Sequence, residues 1–402
     1  MQHTDIDEAS VTAEKTRNPN IELLRILAML MIVCSNDIAD GNYFTEKNYA
    51  VDASLRFIKN FGGTSDALFF GITAWFLCMA KKPTLKGSFK RIWKLEWQLL
   101  FYAYPILLLF LILKIKGIED HNRAGFIAMG IQTLFPTLSG LWWYPTSYAF
   151  FLILYPWINK GLRAIGQKTH GTLAIIMFAI WGLIPYFLLD MNISVWLFIF
   201  LYVLISYLRW YRNDLLQSKR LKINLFITAL CIFILGTLIG AKWLPGTFNY
   251  TLLNNPRYFP ALILALSLIL WATQREVRES NALEIVTHKF INTAASGCFA
   301  GYLIIVHPWV NGFINWKFHF ALELSPFHIL IGQLLMPVIY LSIAIAIDLI
   351  RQFIFSFTVD KFQAPLFERG WAMIRYNRLA EKISLFIESA ASSFETSGNS
   401  KP

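Results

Sequence analysis

The sequence is short of charged residues. Only 15% of its 402 residues are Asp, Glu, Lys or Arg, whereas soluble domains carry about 25%. Hydrophobic residues make up 56% of the chain, and they lie in blocks of roughly 17–25 residues, the length that crosses a hydrocarbon core as a helix. This composition excludes an ordinary soluble domain and predicts an all-α, polytopic membrane protein with the lipid bilayer as its first partner.

Cysteine and acidic residues are also scarce. The four cysteines lie in apolar blocks without the spacing of a metal site, so we expect small buried residues rather than disulfides or metal ligands. The 25 acidic residues are outnumbered by 36 Lys and Arg, which gives a net charge of +11. In a soluble protein this excess would suggest nucleic acid. Here the basic residues flank apolar blocks, so membrane topology explains them better and no nucleic-acid partner is expected.

The apolar blocks predict about ten transmembrane helices. They lie at 21–38, 63–80, 95–114, 141–158, 171–189, 193–209, 223–241, 258–273, 293–313 and 327–350. Every second connecting segment is basic, for example KKPTLKGSFKRIWK at 81–94. Because basic loops remain in the cytoplasm, this alternation predicts that both termini are cytoplasmic. The stretch 124–138 is broken by Gly and Pro and is expected to be re-entrant or interfacial.

Composition divides the chain into three parts. Residues 1–19 form a polar cytoplasmic segment without the apolar core of a cleavable signal peptide. Residues 20–356 form the membrane domain, and residues 357–402 form a cytoplasmic tail. Within the tail, Phe367 and Trp371 fall on one face with basic residues around them, which predicts an amphipathic helix on the inner leaflet.

Three basic residues enter the predicted spans at the cytoplasmic side. An ionisable residue inside a span costs about 2.5–3.5 kcal/mol on insertion scales, so each one needs an explanation. Arg25 is one turn into the first span, where it can pair with Glu22 and snorkel to the surface. Arg91 and Lys94 lie one turn apart at the start of the third span, where positive-inside charge explains them equally well. The functional alternative is an anion site that binds phosphate groups from the cytoplasm.

A second group of polar residues is predicted at the outer side. Asn36 and Asp37 end the first span, and Asp66 begins the second. Carboxylates at a membrane boundary are often simply solvated, but a buried one can act as a general base. His307 is expected at the same depth in the ninth span, as a satisfied core residue or as a catalyst.

Four sequence blocks resemble the acyltransferase-3 family of integral membrane proteins. They occur in the family's order and cover most of residues 20–312: NIELLR (20–25), ITAWFL (72–77), WYPTSYAFFLILYPWINK (143–160) and GYLI with a later Pro (301–308). The resemblance implies transfer of an acyl group, usually acetyl, from acyl-CoA in the cytoplasm to a hydroxyl of a cell-surface polysaccharide or related envelope glycan. It implies a multi-pass protein of a bacterial cell membrane, with acyl-CoA as a co-substrate and no permanently bound cofactor. The family's cationic positions fall on Arg25, Arg91 and Lys94.

The chain departs from the family at the expected catalytic position. The family's histidine stands eleven residues after the first-span arginine, and here that position is Asn36. An amide does not accept a proton at physiological pH, so Asn36 can orient a substrate but cannot serve as a general base. Either Asp37, Asp66 or His307 takes the proton, or the protein is a non-catalytic binding or assembly component of envelope biosynthesis. A transporter or flippase is the third alternative. It ranks last, because the sequence shows no paired broken helices of the kind that transporters often contain.

Overall fold

A computed structural model describes residues 18–40, 49–80, 83–118, 121–183, 194–243, 253, 255–256, 258–275, 277, 281–317 and 325–375. These residues form helices and turns, and no β-strand occurs among them, which confirms the all-α prediction. The helices are α1 Pro19–Asp40, α2 Tyr49–Leu77, α3 Leu85–Ile115, α4 Arg123–Leu134, α5 Pro136–Ser139, α6 Trp143–Ala164, α7 Gly166–Met177, α8 Ser194–Tyr211, α9 Asn213–Gln217, α10 Lys219–Trp243, α11 Phe259–Gln274, α12 Ala282–Gly297, α13 Phe299–Ile305, α14 Pro308–Lys317, α15 Pro326–Phe357 and α16 Val359–Arg375. A π-helical turn, Phe178–Leu183, follows α7.

Four of the described helices are long and apolar enough to cross a membrane: Pro19–Asp37, Leu85–Ile115, Lys219–Ile239 and Phe327–Phe357. The pair Ala282–Ile305 and Pro308–Ile314 is a fifth if the two parts form one span, although the chain bends by 75° between them. The long apolar helices are those of a membrane protein, whereas the count of ten spans and the cytoplasmic termini remain predictions.

Helix α1 lies at the centre of the bundle and packs against α2 and α11 to α15. One close approach depends on glycine, because a Cβ added at Gly301 would lie 3.5 Å from both Met29 and Val33 of α1. On its other side the same Cβ would meet Leu341 of α15 at 2.7 Å. Gly301 therefore lets α13 fit between α1 and α15, and it places Met29 at the same level as the middle of α13.

Helix α2 is longer than the predicted span. It begins at Tyr49 rather than near 63 and continues for 29 residues. Its first half is polar, but protein rather than water surrounds it: Asp52 and Arg56 are 8% and 9% exposed and form an ion pair of 2.7 Å. Asn60 is fully buried and donates to Thr237 Oγ1 of α10 at 2.9 Å. A search for apolar blocks misses such a segment.

Helices α4 and α5 form a segment that runs back along α3. The amine of Lys114 donates to the carbonyl of His121 before α4, and the amide of Thr137 in α5 donates to Glu96 at 3.2 Å. The chain therefore descends antiparallel to α3. At the turn, Ser139 Oγ donates to the Gln132 carbonyl at 2.8 Å, which satisfies backbone that would be costly to leave unpaired inside a membrane. The helix breaks between α4 and α5, as predicted for 124–138, whereas the re-entrant or interfacial position of the segment remains a prediction.

The tail helix α16 packs on the first turns of α3. Phe367 and Trp371 contact the rings of Trp93 and Phe89, with centroids 6.5 and 5.6 Å apart, and Trp93 Nε1 donates to the Gln363 carbonyl at 3.1 Å. The face predicted to enter the inner leaflet is therefore partly covered by protein. The rest of the predicted tail, from residue 376 onward, lies outside the described residues.

Candidate functional site

The first component of the site is Arg25 on α1. Its guanidinium forms an ion pair of 2.6 Å with Glu22, one turn earlier, and its side chain remains 25% exposed. This geometry agrees with the predicted Glu22 pairing. The arginine also interacts electrostatically with Tyr144 and Tyr148 on α6. Arg25 therefore pairs within its own helix and lies within electrostatic range of the start of α6.

The second component comes from α3. Arg91 and Lys94 are both exposed, and neither forms a hydrogen bond or ion pair with any residue that the structure describes. Arg91 interacts electrostatically with the hydroxyls of Tyr148 and Tyr155. Two arginines from different helices, Arg25 and Arg91, therefore act on one tyrosine, Tyr148. Cationic side chains near one another are a feature of sites that bind anionic groups.

Other arginines of the basic segments are engaged differently. Arg163 donates to the Cys78 carbonyl at 2.8 Å and stacks on Trp210, with 4.2 Å from its guanidinium carbon to the ring centroid. Arg209 donates to the Trp75 carbonyl and lies 4.3 Å from the ring centroid of the same residue. Both cations stabilise the carboxyl end of α2, where the helix dipole is negative. Arg91 and Lys94, by contrast, make no such hydrogen bonds with the described residues.

Asp66 lies inside α2, and the helix extends well before the predicted start of the span. The α2 helix starts seventeen residues earlier, at Tyr49. Asp66 is half-buried, makes no hydrogen bond to another described residue, and interacts electrostatically with Tyr144 and Tyr302. The Tyr302 hydroxyl in turn accepts from the Tyr144 amide at 3.3 Å. Asp66 and Arg25 therefore both lie within electrostatic range of Tyr144.

Asn36 and Asp37 lie near the end of α1. Asn36 Nδ2 donates to the Ile32 carbonyl at 2.9 Å, which leaves its second N–H and its amide oxygen for other partners. Asp37 is 6% exposed. It is therefore buried, whereas one interpretation of the sequence was that this carboxylate is solvated. The neighbouring Ser35 donates to the Lys59 carbonyl of α2 at 3.0 Å. Because Asp66 comes seven residues after Lys59, it lies about 10 Å farther along α2 than this pair.

His307 occupies the bend between α13 and α14. The residue is fully buried, and its Nδ1 accepts from the Trp309 amide at 3.3 Å, so it caps α14 just before Pro308. A neutral imidazole that accepts at Nδ1 carries its proton on Nε2. That Nε2 has no hydrogen-bond partner among the described residues, and the ring meets Trp142 edge-on at 5.6 Å. In this tautomer His307 offers a buried donor rather than the base suggested by the sequence.

The positions define two levels. His307 follows Gly301 by six residues, about 9 Å along the chain direction, and Gly301 contacts Met29 and Val33 of α1. His307 therefore lies near the level of Asn36, as the sequence analysis predicted. One level contains Asn36, Asp37 and His307. The other contains Asp66 with the Arg25, Arg91 and Tyr148 group.

The sequence analysis missed one group of buried polar residues. Asp348 of α15 is fully buried, and Arg351 donates to both its oxygens at 2.7 and 3.0 Å. Tyr102 of α3 donates to Oδ1 at 2.6 Å and Gln352 donates to Oδ2 at 2.7 Å. The signal was available, since Asp348, Arg351 and Gln352 occur at helical spacing inside an apolar block.

The comparisons with known proteins leave the chain without an assigned relative. No family model matches its sequence, and no curated protein and no solved structure matches it either.

Proposed function

We propose that the protein is a membrane acyltransferase that moves an acyl group, most simply acetyl, from acyl-CoA to a hydroxyl of a cell-surface glycan. The observation that carries the proposal is that Arg91 and Lys94, one turn apart on α3, are exposed and form no hydrogen bond or ion pair with a described residue, while Arg91 and Arg25 both lie within electrostatic range of Tyr148. A guanidinium pairs bidentately with phosphate and a lysine adds a point charge. The resemblance to the acyltransferase-3 family supports the same assignment. Enzyme action, acyl donor and acceptor all belong to this proposal.

The chemistry places Asp66 as the general base. Its carboxylate removes the proton from the acceptor hydroxyl, and the hydroxyl oxygen attacks the thioester carbonyl. The tetrahedral intermediate collapses with cleavage of the carbon–sulfur bond, and the proton passes from Asp66 to the departing thiolate. CoA therefore leaves as a thiol, and the carboxylate is regenerated. His307, through its Nε2 proton, and the amide oxygen of Asn36 would position the acceptor at the other level.

This transfer requires a protein that spans the bilayer with its cationic end in the cytoplasm. We propose the ten-span topology with both termini inside a bacterial cell membrane. The spans are assigned to α1, α2, α3, α6, α7 with its π-helical turn, α8, α10, α11, α12 with α13, and α15. The basic segments at 81–94, 159–170 and 209–222 then lie on one side, in agreement with the positive-inside rule.

The direct test is acetyl transfer by inverted membrane vesicles supplied with labelled acetyl-CoA. Arg91→Ala is expected to lower transfer roughly tenfold or more, because a charge-assisted contact to phosphate is lost. Arg220→Ala is the matched control, since Arg220 is also exposed and lies in another basic segment. Equal transfer by wild type and the Arg91 variant would reject the phosphate site, whereas no transfer by wild type would reject the enzyme.

A second candidate is a non-catalytic relative that serves as a binding or assembly component of envelope biosynthesis. Asn36 favours it, because its amide nitrogen is used by the Ile32 carbonyl of its own helix and its side chain takes no proton. Asn36→His restores the residue of the family and should then create transfer where the native chain has none. Native turnover in the same vesicles rules this candidate out.

The transporter or flippase alternative gains one observation. The apolar pair Ala282–Ile305 and Pro308–Ile314 bends by 75°, and broken helices are typical of transporter binding sites. Transporters typically contain two such broken helices in corresponding positions, and the described residues contain one. This alternative therefore ranks below the other two.

A further inference from the structure

One face of α3 connects the exposed cations to the buried Asp348 group. Arg91, Lys94, Gln98 and Tyr102 occur at i, i+3, i+7 and i+11, so they line one side of the helix. The first two are exposed, Gln98 is half-buried, and Tyr102 is 3% exposed. The same face therefore carries the proposed phosphate contacts at its start and a buried hydrogen bond two to three turns later.

The buried end of this face is fixed to two other helices. Tyr102 donates to Asp348 of α15 at 2.6 Å, and Gln98 lies 3.4 Å from the same oxygen. Gln352, one turn after Asp348, is linked to Ser296 of α12 at 3.1 Å. A single carboxylate thus connects α3, α15 and, through Gln352, α12.

The link is specific in register. An apolar contact between helices tolerates sliding and rotation, whereas a short hydrogen bond to a fully buried carboxylate is lost when either helix moves. The Asp348 side chain cannot turn to keep this hydrogen bond if Tyr102 moves, because Arg351 donates to both of its oxygens. The contact therefore constrains the rotation and depth of α3 relative to α15, in addition to the packing of α3 against α4 to α6 and α16.

We propose that Tyr102 is a positioning residue, which acts through Asp348 to hold the start of α3, with Arg91 and Lys94, in place. This proposal rests on the proposed function only for the identity of the ligand, acyl-CoA. The placement of α3 does not depend on which anion the protein binds. Tyr102 does not touch the ligand. Its hydroxyl determines where the cationic start of α3 lies.

Tyr102→Phe tests this role because it removes one hydroxyl and retains the ring. The control is Thr237→Val, which deletes another buried hydrogen bond between helices, that of Asn60 with Thr237 at 2.9 Å on α10. Spin labels are placed by Lys90→Cys on α3 and Lys289→Cys on α12, both exposed positions, in a Cys231→Ser background. Double electron–electron resonance measures the label distance, and equilibrium dialysis measures acetyl-CoA binding.

The Tyr102 variant is expected to broaden or shift the distance distribution, while Thr237→Val leaves it unchanged. Its affinity for acetyl-CoA should fall roughly threefold to thirtyfold, the range of coupling through a packed network. Unaltered distances in Tyr102→Phe, or equal changes in both variants, would overturn the proposal. If wild type binds no acetyl-CoA, the proposed function fails, and the distance measurement still decides the positioning role.

Discussion

Replacing Asp348 by leucine is expected to destabilise the protein by about 3–5 kcal/mol, the cost of breaking a buried ion pair by removing one partner. The carboxylate is fully buried, and the Arg351 side chain is only 11% exposed. Without Asp348 the guanidinium would remain buried without its counter-charge, although it still lies over the Phe355 ring at 5.0 Å. Reversible unfolding in mixed detergent micelles measures the change.

Two further variants separate this cause from general damage. The double variant Asp348→Leu with Arg351→Leu removes both charges, so it should recover most of the lost stability. The exposed pair of Arg212 and Asp214 has a contact of 3.2 Å, and Asp214→Ala should leave the unfolding free energy unchanged. A single Asp348 variant as stable as wild type would show that the carboxylate does not hold the helices together.

Replacing Asp66 by asparagine is expected to lower the rate of acyl transfer by about 100-fold to 10,000-fold, the contribution of a general base. The change is nearly isosteric and removes only the proton-accepting charge. Asp66 lies beside Tyr144 and Tyr302 and makes no hydrogen bond to another described residue. The affinity for acetyl-CoA should change little, because the phosphate contacts are assigned to Arg25 and Arg91.

Asp37→Asn is the matched control for this prediction. Asp37 is on α1, two residues after Ser35, whose partner Lys59 lies about 10 Å before Asp66 along α2, and the sequence offered Asp37 as an equal candidate. Single-turnover transfer separates the chemical step from binding of acetyl-CoA. A large loss of transfer rate in the Asp37 variant, with a normal rate in the Asp66 variant, would show that the general base is Asp37 at the end of α1.

The sequence predicted much of the architecture because hydrophobic periodicity is a local signal. It indicated the all-helical class, the broken character of 124–138, and the one-turn spacing of Arg91 and Lys94. The sequence did not predict the first half of α2, where polar residues such as Asp52 and Asn60 are buried by other helices. Burial by residues that are distant in the sequence leaves no local pattern. The sequence consequently did not predict that the helix containing Asp66 begins seventeen residues before it.

The candidate site was predicted as a set of residues but not as an arrangement. Arg25 and Arg91 could be named from charge inside apolar blocks, whereas their convergence on Tyr148 depends on how α1, α3 and α6 pack. His307 was placed at the right level, yet its role changed once Nδ1 was found capping α14. Such contacts join residues far apart in sequence, and no single segment encodes them.

The central claim is that Arg25, Arg91 and Lys94 bind the phosphates of acyl-CoA, and equilibrium binding to the purified protein tests it most directly. Labelled acetyl-CoA should bind saturably, more weakly as salt is raised, and about tenfold or more weakly to Arg91→Ala than to wild type or Arg220→Ala. Removal of the 3′-phosphate from the ligand should weaken binding to wild type as well. Absence of saturable binding, or equal affinity in the Arg91 and Arg220 variants, would contradict the account.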